Sequence, residues 1–162
     1  MSNFRELVRR LVQMGVEFIV VGGAAATAHG AARLTKDLDI VYRRDRHNIA
    51  RIAAALGPYA PYLRGAPPDL PFTLDEATIE RGLNFTLTTS LGDLDLLGEI
   101  VGGRTYEDLL SDTVRIEIFG VECLCLGLER LIRVKRAAGR PKDFEAIAEL
   151  EAILEEQARA NN

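Results

Sequence analysis

The spacing of apolar positions changes several times along this chain, and each change predicts an element. Phe4, Leu7, Val8, Leu11 and Val12 recur at intervals of three and four, which predicts an amphipathic helix over residues 3–14 that Gly15 ends. Phe18 to Val21 is a compact β-branched and aromatic run that stops at Gly22-Gly23, the pattern of a buried strand followed by a glycine turn and a short Ala-rich helix to about Ala28. In Asp37-Leu38-Asp39-Ile40 the period becomes two, so a strand running to Tyr42 turns Asp37 and Asp39 to one face and Leu38 and Ile40 to the other. Ile49, Ile52, Ala53 and Leu56 carry a further helix to Gly57.

The segment 58–72 holds all but one of the six prolines, which predicts a long loop without regular structure, acting as a binding lid or as a packed connector. Phe85, Leu87, Thr89 and Leu91 alternate with Thr86, Thr88 and Ser90 as a half-buried strand does. After Gly92, Asp93-Leu94-Asp95-Leu96 nearly repeats the earlier acidic strand. A short helix over 105–110, a hairpin of 113–119 with 121–126, and two helices separated by Gly139 and Pro141 complete the chain. Leu128, Leu131, Ile132 and Lys135 share one stripe of the first of these helices; Asp143, Ile147, Leu150 and Leu154 share the inner face of the second. The expected class is α/β (α+β): a mixed sheet with flanking helices and a C-terminal helical pair. The 162 residues are expected to form one domain, 1–126 containing the sheet and 127–162 the helical hairpin.

Composition narrows the function classes. Nearly half of the residues are apolar (48%), yet no apolar run approaches the roughly 20 residues of a membrane helix. With Arg5, Glu6, Arg9 and Arg10 in place no signal peptide is expected at the N-terminus, and a cytoplasmic protein without a membrane partner is expected. The net charge of −4 argues against a general nucleic-acid coat protein. Charge is nonetheless uneven. Arg130, Arg133, Lys135, Arg136, Arg140 and Lys142 crowd the segment 127–143, predicting an electropositive wall facing the site, while glutamates dominate the tail. Cys123 and Cys125 alternate along one strand and are expected to be buried free thiols. His29, at the end of the Ala-rich helix, is expected to make a local hydrogen bond.

Gly22-Gly23 at a helix start lets a phosphate approach backbone N–H groups with no Cβ in the way. Asp37 and Asp39, side by side, repel each other unless a cation lies between them, and hard oxygen ligands at that spacing suit Mg²⁺. Arg33, Thr35 and Lys36 fill the loop between these two features; Arg33 and Lys36 are candidate phosphate contacts, or cations that merely screen the acids. Asp93 and Asp95 are the natural sources of a third carboxylate, and strand parity alone does not separate them. Lys135 either snorkels to the rim or points into the cleft, and a structural Lys135–Asp143 pair is its alternative.

Gly22-Gly23, the small helix, and Arg33-Leu34-Thr35-Lys36-Asp37-Leu38-Asp39-Ile40 together resemble the motif of the DNA polymerase beta type nucleotidyltransferase superfamily. The likeness is to its small bacterial members, the minimal nucleotidyltransferases and the nucleotidyltransferase toxins of toxin-antitoxin pairs. Lys135 and the Gly-Arg-Pro-Lys-Asp turn resemble the C-terminal part of the same proteins. The resemblance implies a nucleotidyltransferase-like fold and a metal-dependent transfer of a nucleoside monophosphate from a nucleoside triphosphate to a hydroxyl, on an RNA end such as tRNA, a protein or a small molecule. It implies two Mg²⁺ ions, with Mn²⁺ as the substitute, held by Asp37, Asp39 and Asp95. The nucleotide falls to Gly22, Gly23, Arg33, Lys36 and Lys135. An antitoxin partner is also implied. One departure stands out: the usual second turn residue is serine, and Gly23 removes the hydroxyl it would offer. The alternatives are a catalytically inactive binding or regulatory domain of the same fold and a phosphotransferase acting on a small molecule. The carboxylates are expected to converge to on the order of 4 to 6 Å.

Overall fold

The structure is a computed structural model that describes residues 2–32 and 34–161. In chain order its elements are α1 (Phe4–Gln13), β1 (Phe18–Val21), α2 (Gly22–Ala28), β2 (Asp37–Tyr42), α3 (Arg46–Leu56), β3 (Tyr62–Leu63), α4 (Glu76–Arg81), β4 (Asn84–Thr89), β5 (Gly92–Leu97), β6 (Glu99–Ile100), β7 (Arg104–Thr105), α5 (Tyr106–Leu109), β8 (Thr113–Ile118), β9 (Val121–Leu126), α6 (Leu128–Ala138) and α7 (Pro141–Ala160). Seven strands form one mixed sheet in the order β3-β4-β5-β2-β1-β9-β8, and β6 with β7 forms a small separate ribbon. The helices flank the large sheet, with α6 and α7 packed on each other as the expected C-terminal pair.

The hydrophobic pattern explains why the acids face outward. Leu38, Ile40, Leu94 and Leu96 are fully buried on the opposite face of β2 and β5, each contributing roughly 1.5–3 kcal/mol of burial. Slipping either strand by one residue would bring its leucines to the cleft and its aspartates into the core, so burial fixes the register. β2 and β5 are parallel, with Asp37 opposite Asp93 and Asp39 opposite Asp95. β1 runs antiparallel to β2 and sets Val21 opposite Asp39, which delivers the glycine turn beside that carboxylate.

Asn48 ties the outer ends of β1 and β2 together. Its amide oxygen accepts from the Glu17 N–H at 2.7 Å, and its amide nitrogen donates to the Glu17 and Arg43 carbonyls at 2.9 and 2.8 Å. His29 lies against the Leu126 carbonyl at 2.8 Å, so its polar contact reaches across to the end of β9 instead of closing locally at the end of α2. Both cysteines are free and buried, and burial pushes their thiols up, Cys123 to about 11 and Cys125 to about 12.

Two local expectations need revision, and one helix is new. The proline-rich segment is not wholly irregular: Tyr62-Leu63 pairs antiparallel with Leu87-Thr88 and forms the edge of the sheet. A helix at Glu76–Arg81, capped by Asp75, follows it where no periodic signal stood out. The cations of 127–143 do not form one wall, since Arg130 pairs with Asp112 and Arg136 with Glu151, away from the acids.

Candidate active site

β2 and β5 present four carboxylates on one face of the sheet, and three of them gather. Ligand oxygens of Asp37, Asp39 and Asp95 lie within 4.8 Å of one another. Asp93 lies outside that group, opposite Asp37 near the start of β5, with Arg64 Nε 3.3 Å from its Oδ2. Crowding shows in proton affinity. Burial first, then the charges of Asp37 and Asp95 and a carboxyl–carboxyl hydrogen bond with Asp95, pushes Asp39 up to about 8, while Lys135 opposes the rise. Asp37 is raised too, by burial and then by Asp95 and Asp93, against the pull of Arg64 and Lys142.

A divalent cation fits this arrangement on structural grounds. Asp39 Oδ1 is buried and accepts no hydrogen bond, which is costly for a carboxylate oxygen unless a cation meets it. The donor set is all oxygen, the preference of Mg²⁺ and Mn²⁺.

The glycine turn is fitted to the same carboxylate. Gly22 has φ +65°, and a Cβ there would lie 2.2 Å from Asp39 Oδ2. A Cβ on Gly23 would lie 2.5 Å from the Thr35 hydroxyl oxygen. The hydroxyl missing from position 23 is therefore replaced in space by one from the loop ahead of β2, a substitution that inspection of the turn alone does not reveal.

Two cavities meet at Asp39. The more polar one, about 320 Å³, is bordered by Gly22, Gly23, Thr35, Lys36, Asp37, Asp39, Asp95, Lys135, Arg140 and Lys142. The other, about 510 Å³, has an apolar wall of Val21, Leu97, Ile100, Val101, Leu131, Val134 and Ala138, with Asn84 and Glu99 as polar groups. Gly22, Asp39, Lys135 and Arg140 border both. Lys135 thus points into the cleft. Lys36 is exposed at the rim of the polar cavity, and Arg33 lies outside the described residues.

Asp143, at the first turn of α7, is held by Arg140: the carboxylate accepts from the Arg140 backbone N–H at 3.1 Å, from Nε at 2.8 Å and from Nη2 at 3.2 Å. Burial raises the Asp143 carboxyl, but these hydrogen bonds outweigh it and hold the group below its usual range, with Lys135 adding a smaller pull. Arg140 is therefore a bonded partner of Asp143, and Lys135 adds a neighbouring charge.

No protein-family model and no curated protein matches the chain. Solved structures do. The fold is similar to that of a candidate nucleotidyltransferase from Thermotoga maritima (TM-score 0.55, 16% identity, 90% of this chain and 88% of the other covered). It is similar to the lincosamide antibiotic adenylyltransferase LnuA in its lincomycin-bound form (TM-score 0.62, 15% identity, 94% and 98% covered). It is also similar to the antibiotic-resistance factor ANT(2'')-Ia (TM-score 0.56, 12% identity, 97% and 91% covered). The chain therefore has a nucleotidyltransferase fold. Nearly whole-length coverage on both sides means that its mixed sheet and C-terminal helical pair both belong to that fold.

Proposed function

We infer that the protein is a divalent-metal-dependent nucleotidyltransferase that moves a nucleoside monophosphate from a nucleoside triphosphate to a hydroxyl. The observation that carries this reading is the gathering of Asp37, Asp39 and Asp95 beside a glycine turn that Asp39 itself contacts.

Asp37, Asp39 and Asp95 would hold the ion, Mg²⁺ or Mn²⁺; when bound, it supplies charge neutralisation at phosphoryl oxygens and lowers the pKa of an attacking hydroxyl. The chain's own residues do the rest. Gly22 and Gly23 let the triphosphate approach the first-turn N–H groups of α2, which no side chain caps. Lys36, Lys135, Arg140 and Lys142 offset phosphate charge in the polar cavity, and the organic part of a substrate lies against the apolar wall of the larger one. The acceptor oxygen bonds to the α-phosphorus as the bond to the α–β bridging oxygen breaks. Pyrophosphate leaves, and Asp95, gathered beside Asp37 and Asp39, takes the acceptor's proton.

The likeness to an antibiotic adenylyltransferase and to an antibiotic-resistance factor makes ATP and small hydroxylated acceptors the first substrates to try. An RNA end or protein hydroxyl, the toxin role and an antitoxin partner rest on the sequence resemblance alone. The test incubates the protein with each α-labelled ribonucleoside triphosphate, Mg²⁺ or Mn²⁺, and separate pools of small molecules, RNA and protein. Label transferred by wild type and not by Asp39→Asn supports the reading. Triphosphate binding without transfer to any pool supports the non-catalytic alternative, and absence of both binding and transfer refutes the reading.

A further inference from the structure

Arg64 enters the cleft from the proline-rich segment, remote in sequence from every other group there. Its backbone N–H bonds the Thr86 carbonyl at 3.0 Å, so β4 fixes where its side chain starts. Nη2 donates to the Leu87 carbonyl at 2.8 Å and to Asp95 Oδ1 at 3.0 Å. Nε lies 3.3 Å from Asp93 Oδ2 and Nη1 3.8 Å from Asp37 Oδ2. The Nε contact is a charge contact rather than an aligned hydrogen bond, for that buried N–H has no acceptor in line. One guanidinium thus touches three of the four carboxylates, all but Asp39.

Two consequences compete. A fixed positive charge relieves the mutual repulsion of the acids, and it repels any further cation brought to the oxygens it touches. Asp93 and the Leu87 carbonyl anchor Arg64 outside the gathered triad, so it has no need to leave when Asp37 and Asp95 turn to another partner. Building on the reading that the triad takes a divalent cation, we propose that Arg64 is a built-in counter-cation that sets the metal affinity of this site. It balances the carboxylate face on its own, makes the fold independent of metal, and weakens binding of a bare divalent ion. The ion then enters with the triphosphate, whose negative charge offsets Arg64 and whose oxygens complete the ligand set.

The test uses the full chain without nucleotide: calorimetric titration with Mn²⁺, and thermal melts in EDTA and in Mn²⁺. Removing a unit charge about 5 Å from a divalent ion tightens its binding by about tenfold even in a water-like dielectric. Arg64→Gln should therefore bind Mn²⁺ about tenfold or more tightly than wild type, melt lower in EDTA, and gain more from Mn²⁺. A nonhydrolysable triphosphate should improve its Mn²⁺ affinity less than it improves that of wild type. Arg64→Lys, which keeps the charge and loses the fork, should stay within about threefold of wild type in Mn²⁺ affinity. Arg64→Gln binding Mn²⁺ no more tightly than wild type, or matching Arg64→Lys in all readouts, overturns the proposal. Should Arg64→Gln fold only with Mn²⁺, the proposal is supported. Should it fold under neither condition, the double variant Arg64→Gln/Asp93→Asn, which removes one charge of each sign, takes its place. It must bind Mn²⁺ more tightly than wild type, and equal or weaker binding overturns the proposal. Asp39→Asn is the control: if it binds Mn²⁺ as wild type does, the metal-site reading itself fails, whatever Arg64 does.

Discussion

Replacing Asp39 by asparagine keeps the shape of the side chain and removes one charge from the most crowded point of the cleft. In an unfolded chain this carboxyl ionises near 3.8, and in the folded protein it is held up to about 8. Between those values the folded state binds more protons than the unfolded state, so wild type loses stability as pH rises through the window. Below about pH 4 both states are protonated and nothing is lost; above about pH 8 the loss is complete. At about 1.4 kcal/mol for each tenfold change in proton affinity, the full loss is on the order of 5 kcal/mol, an upper bound because neighbouring acids can protonate in its place.

The asparagine side chain has no proton to lose, so in EDTA the Asp39→Asn variant should match wild type near pH 4 and outlast it progressively toward pH 8. With roughly 2–4 °C per kcal/mol for a chain of this size, the gap at pH 8 reaches on the order of 10 °C. In Mn²⁺ the order should reverse, since the variant lacks a charged ligand, and nucleotide transfer should fall by orders of magnitude, each tenfold costing about 1.4 kcal/mol of transition-state stabilisation. The assay is a set of thermal melts at half-unit pH steps, in EDTA and in Mn²⁺. A stability difference that stays flat from pH 4 to pH 8, or a variant that melts below wild type at pH 8 in EDTA, refutes the assignment of the strain to Asp39.

Other substitutions probe the parts separately. Gly22→Ala sets a Cβ 2.2 Å from Asp39 Oδ2 at a φ of +65°; it should cost about 1–3 kcal/mol in a denaturant melt and weaken Mn²⁺ binding in calorimetry by displacing that carboxylate. Gly23→Ser brings a side chain onto the Thr35 hydroxyl, 2.5 Å from the new Cβ, so it should destabilise by about 1–3 kcal/mol, with Thr35→Ala in the same chain recovering most of the loss. Asn48→Ala leaves the Glu17 N–H and the Glu17 and Arg43 carbonyls without their buried partner; it should cost about 2–4 kcal/mol while Mn²⁺ affinity stays unchanged, because Asn48 lies at the far ends of β1 and β2.

How much of the site was legible depended on the range of the signal. The pairs Asp37 with Asp39 and Asp93 with Asp95 each announce themselves within four residues, because period two in a strand is a local property. That the two pairs share a face follows from a second local fact, the burial of leucines on the other side. The choice between Asp93 and Asp95 is not local. It depends on the parallel register that sets Asp39 opposite Asp95 and on the antiparallel register that brings Val21 and the glycine turn to Asp39. Arg64 itself left no trace in the sequence. It follows a two-residue strand inside a proline-rich segment, and only the pairing of Tyr62-Leu63 with β4 lays it over β5. The Thr35 hydroxyl was equally hidden, since the loop brings it to Gly23 from twelve positions away.

The charges of the site then explain one another. Four carboxylates on adjacent parallel strands form an arrangement that repulsion alone would spread apart, yet leucine burial prevents the strands from shifting and three of the acids remain within 4.8 Å of one another. The fold can relieve this by protonation, by an internal cation or by an external one. Asp39, lacking an internal partner for Oδ1, takes the first route, with its carboxyl raised to about 8. Asp37, Asp93 and Asp95 take the second, through Arg64. The third route has its opening at Asp39, the one carboxylate of the four that Arg64 does not touch. It borders the glycine turn and both cavities, so under the proposed function a cation arriving with a triphosphate would meet first the acid that has most to gain from it.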